Sequence, residues 1–182
     1  VAILSSSTTY SEQSRAGLGR PDFPGKPGIN AIRHNTSHTV DRPIFDALSK
    51  ANEQLGYSDM QERGQKFGFG GVSEKTDANV EISFMGGKFV LGEDFTRSTS
   101  VNKEDLEGAK KWINGAKQQA DWVVYGTHCH ESGNDGEIHG PSLTSPPQFL
   151  EELAHWVIDQ GADVFAGHGP HFLRGIEIYK GK

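Results

Sequence analysis

Two short apolar segments of this chain are each followed at once by a pair of histidines. They are residues 121–127 (DWVVYGT) with His128 and His130, and residues 162–166 (ADVFA) with His168 and His171. Both segments have the length and the β-branched and aromatic content of buried strands, and the residues between them, 146–160, are predicted to form a helix. A strand, a helix and a strand in this order form a right-handed crossover with parallel strands. The sequence therefore predicts an α/β fold in which both histidine pairs lie at one edge of a sheet.

The histidine pairs carry the donor group that proteins use most often to bind metal ions. Side chains alternate along a strand, so His128 and His130 share one face while Cys129 points to the other. Cys129 is therefore predicted to be a buried, small apolar side chain rather than a ligand. The alternative explanation is that each histidine pair belongs to a hydrogen-bonded turn and binds no metal. Two pairs at the carboxyl ends of neighbouring strands favour a metal site.

The other four of the eight histidines are expected to have ordinary roles. His155 lies in the predicted helix and is interpreted as a surface or hydrogen-bonded residue. His34 and His38 lie in a polar stretch that is predicted to be a loop, so we expect them to be solvated. His139, in the Gly- and Asp-rich stretch between Ser132 and Ser145, is either a solvated loop residue or a mobile contact for a substrate.

Size and charge restrict the class of protein. A chain of 182 residues is long enough to bury a sizeable core, and one domain is expected. The net charge of -6 argues against a nucleic-acid-binding surface, because no basic stripe is available to neutralise phosphates. The single cysteine excludes an internal disulfide. No apolar run approaches the roughly 20 residues that a membrane-spanning helix needs.

Local patterns predict further elements around the crossover. Asp41 is a plausible helix N-cap, and the helix that follows is expected to end at Gly56; Asn102 is expected to cap a second helix that runs to about Gln119. The predicted apolar stripes of these helices are Ile44, Leu48, Ala51 and Leu55 in the first and Leu106, Ala109, Ile113 and Ala116 in the second. Residues 80–84 and 88–91 are predicted to pair as a hairpin.

Further predictions concern two terminal strands, the long segment after the first strand, and the start of the crossover helix. Residues 1–4 and 172–179 are predicted to be strands, and residues 5–40 are predicted to be one long loop. Ser145 and Gln148 have the spacing of a capping box, with Pro146 at the first position of the helix.

Three stretches of the chain carry a family resemblance. They are residues 161–182 (GADVFAGHGPHFLRGIEIYKGK), residues 128–131 (HCHE) and residues 20–30 (RPDFPGKPGIN). They resemble the CapA-like capsule-synthesis family, which is linked to poly-γ-glutamate and belongs to the calcineurin-like metallophosphoesterase superfamily. The resemblance implies a layered α/β sandwich of the metallophosphoesterase type. It covers most of residues 1–40 and 103–182, and residues 57–100 are expected to be an insertion.

The chain also departs from the family pattern. Members of the family carry Gly-Asp and Asn-His motifs ahead of the segment that Val1 opens, and a strand leading to Ser-Leu-Gly-Asn after the segment that Lys182 closes. We therefore expect residues 1–182 to be a partial domain, the carboxyl-terminal portion of one CapA-like metallophosphoesterase domain, with the histidine half of a two-metal centre. In the superfamily the last histidine pair is commonly spaced i, i+2, whereas His168 and His171 are spaced i, i+3. Which of these two binds metal stays open.

The resemblance implies roles for individual residues. His128, His130, His168 and His171 are candidate ligands of two divalent ions, and imidazole suits Mn, Fe, Co or Zn. His130 is either a ligand or the catalytic residue that polarises the leaving group. Arg20, Arg33 and Arg174 are candidates for binding the phosphate or carboxylate of a substrate. A simple surface role is the alternative for each arginine.

The resemblance implies a metal-dependent phosphoesterase of capsule or poly-γ-glutamate synthesis in the bacterial cell envelope, extracytoplasmic or membrane-associated. Its partners would be an anionic phosphoester or polymer and other capsule-synthesis proteins, and the isolated chain is expected to be inactive. A non-catalytic accessory protein on the same fold is the first alternative. An amidohydrolase, whose family also uses a His-x-His at a strand end, is the second, although that pair normally lies on the first strand of a barrel.

Overall fold

A computed structural model describes residues 1–68, 77–133 and 144–182. The described residues form strands and helices in alternation, which confirms the predicted α/β class. In chain order the elements are β1 (Ala2–Ser7), a short 3-10 helix (Glu12–Ser14), β2 (His34–Val40), α1 (Arg42–Gln54), α2 (Tyr57–Lys66), β3 (Glu81–Phe84), β4 (Gly87–Leu91), β5 (Thr96–Val101), α3 (Lys103–Lys117), β6 (Val123–His128), α4 (Gln148–Asp159) and β7 (Val164–His168).

The chain divides into two compact units. The first contains residues 1–35 and 99–182, and the second contains residues 36–98. The predicted insertion at residues 57–100 falls mostly in the second unit, and its status as an insertion stays a prediction. No helix in the described part of the chain is both long enough and apolar enough to cross a membrane.

The sheet of the first unit has three parallel strands in the order β1-β6-β7. β6, α4 and β7 form the crossover that the sequence predicts. The register places Ser7 opposite His128 and His128 opposite His168. The carboxyl ends of all three strands therefore lie at one edge, together with the histidines that follow them.

One face of this sheet is packed against the helices. The predicted stripe of α3 is buried, as are Val123 and Tyr125 on the inner face of β6. These residues form the larger core of the chain with apolar residues of α4, namely Phe149, Leu150, Leu153 and Val157. The 3.6-residue period of the helices and the two-residue period of the strands explain why these side chains meet.

The opposite face of the sheet is open. Ile3 is 77% exposed, Val164 is 43% exposed, and Val124, which lies between them in the register, is half-buried. Because side chains alternate, His128 and His168 lie on this same face, at its carboxyl edge. Parallel sheets are usually covered on both faces, so an apolar row leading to the histidines is an unusual surface.

The predicted helix caps are largely confirmed. The Asp41 side chain accepts a hydrogen bond from the backbone N–H of Ile44 (3.1 Å), and the Asn102 side chain accepts one from Glu104 (3.0 Å). Gly56 adopts a φ of 73°, which ends the first helix as expected. The capping box at Ser145 was wrong. The N-cap of α4 is Pro147 and has no side-chain cap, and the Gln148 side chain accepts instead from the backbone N–H of Thr99 (3.0 Å).

The prediction of one loop over residues 5–40 was wrong at both ends. β1 continues to Ser7, and residues 34–40 form β2. The serines of β1 remain in the sheet because they find partners there: the hydroxyl oxygens of Ser6 and Thr127 lie 3.1 Å apart in a buried pair. A polar strand of this kind has no apolar alternation, so pattern analysis misses it.

His34 and His38 are not solvated loop residues, so that prediction was also wrong. Both are half-buried on β2. The His34 ring stacks on Phe149 with centroids 4.2 Å apart, and the His38 ring lies 5.5 Å from Phe89. Aromatic neighbours therefore place these imidazoles in packed surroundings.

The predicted strand over residues 172–179 was wrong. These residues pair with no described strand, and alternate side chains contact α4 instead. The Glu177 carboxylate lies 2.9 Å from Nε2 of His155, and the Tyr179 ring stacks on the same imidazole at 4.0 Å. Ile176 and Ile178 are 98% and 80% exposed. Side-chain contacts with a helix therefore replace the expected strand pairing. His155 is the hydrogen-bonded residue that was expected.

The second unit is built around a hairpin. β3 and β4 pair antiparallel, which confirms the predicted hairpin, and β4 also pairs parallel with β2. The four-stranded sheet has the order β3-β4-β2-β5. Its small core contains Val40, Phe45 and Ile82. The predicted stripe of α1 was partly wrong, because Ile44 and Leu55 are exposed and Phe45 is the buried anchor.

Asp163 connects three segments of the first unit at the start of β7. Its carboxylate accepts hydrogen bonds from the backbone N–H of Val123 (2.9 Å), from Lys182 (3.0 Å) and from Lys117 (3.3 Å). These contacts, the backbone one most strongly, lower the pKa of Asp163 to about 2.

Replacing Asp163 by Asn should therefore cost stability in a pH-dependent way. A depressed carboxyl pKa stabilises the fold fully above its ordinary value of about 3.9, and this stabilisation is lost as the pH falls towards 2. Urea unfolding at several pH values measures the difference between the two proteins. We expect the difference to be largest near neutral pH and to shrink below about pH 4. A difference that is constant with pH would contradict this assignment.

Candidate metal centre

The ends of β6 and β7 place two imidazoles in direct contact. His128 and His168 are register partners, so their side chains extend from the same face of neighbouring strands. Their Nδ1 atoms lie 3.3 Å apart, and their ring centroids lie 5.1 Å apart. This pair is the centre of the candidate site.

His130 and His171 extend the pair into a group of four rings. The ring centroid of His130 lies 4.6 Å from that of His128, and the ring centroid of His171 lies 5.3 Å from that of His130. The structure thus brings together all four histidines that the sequence proposes as ligands. Their roles as ligands stay predictions.

The loop after β7 is shaped to hold these rings close. The backbone N–H of Cys129 donates to the carbonyl of His168 (2.8 Å). Gly169 adopts a φ of 116°, and a Cβ atom at this position would lie 3.0 Å from both the Cys129 carbonyl oxygen and Cδ2 of His130. Only glycine fits this conformation and this space. His171 also has a positive φ, 61°, a conformation that non-glycine residues adopt mainly at special positions.

The separation of the central pair fits a metal ion. Two nitrogens bound to one tetrahedral ion at about 2.0–2.1 Å lie about 3.3–3.4 Å apart. The observed 3.3 Å between the two Nδ1 atoms agrees with this value. It is also compatible with an N–H···N hydrogen bond when one ring is protonated on Nδ1. The donor atoms are those that Mn, Fe, Co and Zn accept.

The described residues do not complete a ligand set. Within residues 1–68, 77–133 and 144–182, no group of three or more His, Cys, Asp or Glu side chains is arranged to hold one ion. The four rings form a row rather than converging on one point, so the central pair is the part that fits. A complete centre needs further donors.

Cys129 is placed as the sequence predicts. It is 1% exposed and belongs to the main apolar core. Burial raises the pKa of its thiol to about 11. A neutral, buried thiol is a packing residue and not a thiolate ligand.

Glu131 is a functional candidate that the sequence analysis did not select. Its carboxylate accepts hydrogen bonds from the hydroxyls of Thr8 (2.8 Å) and Thr9 (2.9 Å), and Thr9 in turn accepts from the backbone N–H of His130 (2.8 Å). Burial raises the pKa of Glu131, but the hydrogen bonds outweigh it, and the net pKa lies below its ordinary value. The sequence did contain a signal for this contact. Thr8 and Thr9 follow β1, Glu131 follows β6, and the parallel pairing of these strands brings the three residues together.

Arg33 and Arg20 are both already paired. The guanidinium of Arg33 forms a bidentate ion pair with Asp105 and also contacts Glu104 (3.0 Å). These contacts raise the pKa of Arg33 further above its ordinary value. Arg20 is exposed, and its nearest ionic partner is Asp22 at 3.5 Å. The structure does not bring Arg20 into contact with the histidines.

Arg174 lies beside the histidine pairs. Its Nη2 donates to the backbone carbonyl of Glu131 (3.0 Å), which follows His130 directly in the chain. Its Nε is buried and has no hydrogen-bond partner among the described residues. A buried charged donor without a partner needs an acceptor that the described residues do not supply. His139, expected to be either a solvated loop residue or a substrate contact, falls outside the described residues.

A polar cleft of about 510 Å³ opens next to the site. Glu131 and the two threonines form one side of it, so the cleft and the histidine pairs share the same sheet edge. The residues that line it are Thr8, Thr9, Tyr10, Glu12, Arg33, His34, Asn35, Asn102 and Glu131. Most of these follow β1 or β6, as expected for a ligand site at the carboxyl edge of parallel strands.

Comparison with known proteins identifies the family. Residues 27–182 match the family model described as bacterial capsule synthesis protein PGA_cap. The chain belongs to the PGA_cap family. The match includes β6, β7 and all four histidines of the site, so the CapA-like resemblance of the sequence is confirmed.

Four curated proteins illustrate the range of similarity. Two uncharacterised proteins of Sinorhizobium fredii are each 32% identical over 180 residues, covering 99% of this chain and 34% of theirs. The PGA biosynthesis protein CapA of Bacillus subtilis is 32% identical over 127 residues, covering 69% of this chain and 30% of its own. The capsule biosynthesis protein CapA of Bacillus anthracis is 35% identical over 97 residues, 50% of this chain and 21% of its own. The PGA_cap chain thus spans about a third or less of these relatives.

Proposed function

We propose that this PGA_cap chain carries the histidine half of a divalent metal centre that hydrolyses a phosphoester in the synthesis of a capsule polymer. The observation that supports the proposal is the pair of Nδ1 atoms of His128 and His168, 3.3 Å apart at the carboxyl ends of parallel strands. The name of the Bacillus subtilis relative suggests poly-γ-glutamate as the polymer. The cell envelope and other capsule-synthesis proteins remain the proposed location and partners.

Each side chain has a proposed task. His128 and His168 hold one metal ion, and His171, whose ring contacts that of His130, is the candidate ligand of a second ion from the loop after β7. Divalent ions, when bound, supply a nucleophile at neutral pH and positive charge beside the phosphoryl oxygens. His130, whose ring packs between those of His128 and His171, donates a proton to the leaving-group oxygen.

Arg174 is the arginine that we assign to the anionic group of the substrate. Its buried Nε has no hydrogen-bond partner among the described residues, and its Nη2 is fixed by the carbonyl of Glu131. This buried donor needs an acceptor, and we assign a phosphate oxygen of the substrate to the guanidinium. Arg33 is less suited to this task because Asp105 and Glu104 already take up its charge.

A metal titration tests the site without relying on activity. We expect His128→Ala and His168→Ala each to weaken Zn²⁺ or Mn²⁺ binding by about tenfold or more, because either change removes one nitrogen of the pair. His38→Ala, which removes a half-buried histidine outside the pair, is the matched control and should bind as the unchanged chain does. Equal binding by all four proteins would contradict the proposal.

A second function has an observation in its favour. No group of three or more ligands is arranged for one ion in the described part of the chain, which favours a non-catalytic accessory role. Hydrolysis of an aryl phosphate with Mn, Fe, Co or Zn, measured on the longer Sinorhizobium fredii relatives, separates the two functions. Turnover that falls when the residues aligned with His128 and His168 are replaced supports the phosphoesterase function. Metal binding without turnover supports the accessory role.

A further inference from the structure

The polar cleft beside the histidine pairs has a charge distribution that selects a ligand. Two of its lining residues, Glu131 and Arg33, are charged groups fixed by hydrogen bonds within the protein. Whether the cleft favours an anionic or a cationic ligand depends on which of these two charges is already balanced by a partner within the protein.

The positive charge in the cleft is balanced. Asp105 binds the Arg33 guanidinium through both carboxylate oxygens, at 2.7 Å and 2.9 Å, and Glu104 contacts it at 3.0 Å. One cation therefore faces two carboxylates. An anionic ligand would have to compete with these carboxylates for the same donors, so the cleft is a poor site for phosphate or glutamate.

The carboxylate of Glu131 is not balanced in this way. The contacts of Glu131 are with the hydroxyls of Thr8 and Thr9, which hold the carboxylate in position but carry no charge. Arg174 donates to the backbone carbonyl of Glu131 and not to this carboxylate. A fixed carboxylate whose own hydrogen-bond donors are uncharged favours a cation, and an alkylammonium group matches it through charge-assisted hydrogen bonds. Glu12, also in the lining, adds a second carboxylate and has Arg15 as a distant partner at 3.8 Å.

The remaining lining groups suit hydroxyls. Tyr10 and Asn35 contribute a phenol and an amide, which both donate and accept hydrogen bonds. Asn102 can contribute its amide nitrogen as a donor, because its amide oxygen already caps α3. The His34 ring is held against Phe149 at a centroid distance of 4.2 Å and provides a rigid, flat wall. A volume of about 510 Å³ is adequate for a sugar ring.

We propose that this cleft binds a hydroxyl-rich group that carries an ammonium, with the chemistry of an amino sugar, and that the ammonium contacts Glu131. The proposal deepens the proposed function and rests on it in one respect: the cleft would hold the non-reacting part of the phosphoester whose phosphate lies at the histidines. Thr9 links the two places, since its hydroxyl oxygen contacts both Glu131 and the backbone of His130.

Three pyranoses of the same size but different charge test the cleft directly. D-glucosamine, D-glucose and D-glucuronate are titrated into the purified protein with a chelator present, slightly below neutral pH, and backbone amide shifts are followed by NMR. We expect glucosamine to bind about fivefold or more tightly than glucose, and glucuronate to bind most weakly. The shifted amides should include those of Thr8, Thr9 and Glu131.

Two isosteric variants complete the test. Glu131→Gln removes the charge from the cleft and should abolish the preference for glucosamine over glucose. Glu62→Gln makes the same change in net charge on α2, outside the lining, and should keep the preference. Binding of glucuronate as tight as that of glucosamine, no shifts in the cleft with any sugar, or equal behaviour of the two variants would each overturn the proposal. Because the chelator removes metal, these results are independent of the metal titration.

Discussion

Replacing Gly169 by Ala is expected to destabilise the protein by about 2 kcal/mol or more and to separate the histidines. The φ of 116° is a conformation that alanine rarely adopts, and the new Cβ would lie 3.0 Å from the Cys129 carbonyl oxygen. The same atom would lie 3.0 Å from Cδ2 of His130. The loop must therefore move away from β6, and His168 and His171 move with it. Thermal unfolding and the ring resonances of the histidines measure the two effects.

Gly108 is the matched control for this change. It lies within α3, has no positive φ, and has nothing within 4 Å of an added Cβ. Alanine is a better helix former than glycine, so Gly108→Ala should stabilise the protein by up to about 1 kcal/mol. Opposite signs for the two Gly→Ala changes are the expected result. A harmless Gly169→Ala would mean that the loop after β7 does not hold the rings together.

The crossover was the part of the fold that the sequence predicted best. Residues 121–127 and 162–166 have strong β patterns, the helix between them has an apolar stripe, and the handedness rule then leaves one arrangement. Parallel strands end at the same edge, so the meeting of the two histidine pairs followed from topology alone. The 3.3 Å contact of His128 with His168 is a consequence of the strand register, which the sequence does not reveal.

The wrong predictions for residues 5–40 and 172–179 share a physical cause. β2 and the end of β1 are polar strands, and their serine, threonine and histidine side chains are stabilised by partners distant in sequence, such as Thr127 and Phe149. Residues 172–179 have the alternation of a strand but place alternate side chains against α4. Periodicity reports which side chains share a face. It does not report what that face contacts.

The site shows the same limit. The histidines follow apolar strands, a pattern that the sequence shows, whereas the placement of Glu131 depends on its contacts with Thr8 and Thr9, which are more than 100 residues away in the chain. Arg33 was selected as a ligand-binding residue because of its type and its loop. Its bidentate partner Asp105 lies 72 residues away in the chain, beyond the reach of local patterns. The role of an arginine depends on such partners, and the local sequence around a paired guanidinium does not differ from that around an unpaired one.

Replacing Asp105 by Ala is expected to cost about 2–4 kcal/mol of stability. Its side chain is 13% exposed and accepts from the backbone N–H of Arg33 (2.7 Å) as well as from two guanidinium nitrogens. Removing it leaves a partly buried cation and a backbone N–H without their acceptor, which is more costly than losing an exposed ion pair. The thermal midpoint should fall by roughly 5–10 °C for a chain of this length.

Asp46→Ala is the control, because it also removes a carboxylate that pairs with an arginine on the same chain. The pair of Asp46 with Arg42 is 3.5 Å long, and both side chains are more than half exposed, so its loss should change stability by less than about 0.5 kcal/mol. Asp105→Asn should lie between the two, since an amide oxygen keeps one acceptor for Arg33. If the two alanine variants unfold at the same temperature, burial and bidentate geometry do not stabilise the Arg33 pair. In that case Asp105 would compete only weakly with an anionic ligand for the Arg33 guanidinium, and the cleft's preference for a cation would lose its basis.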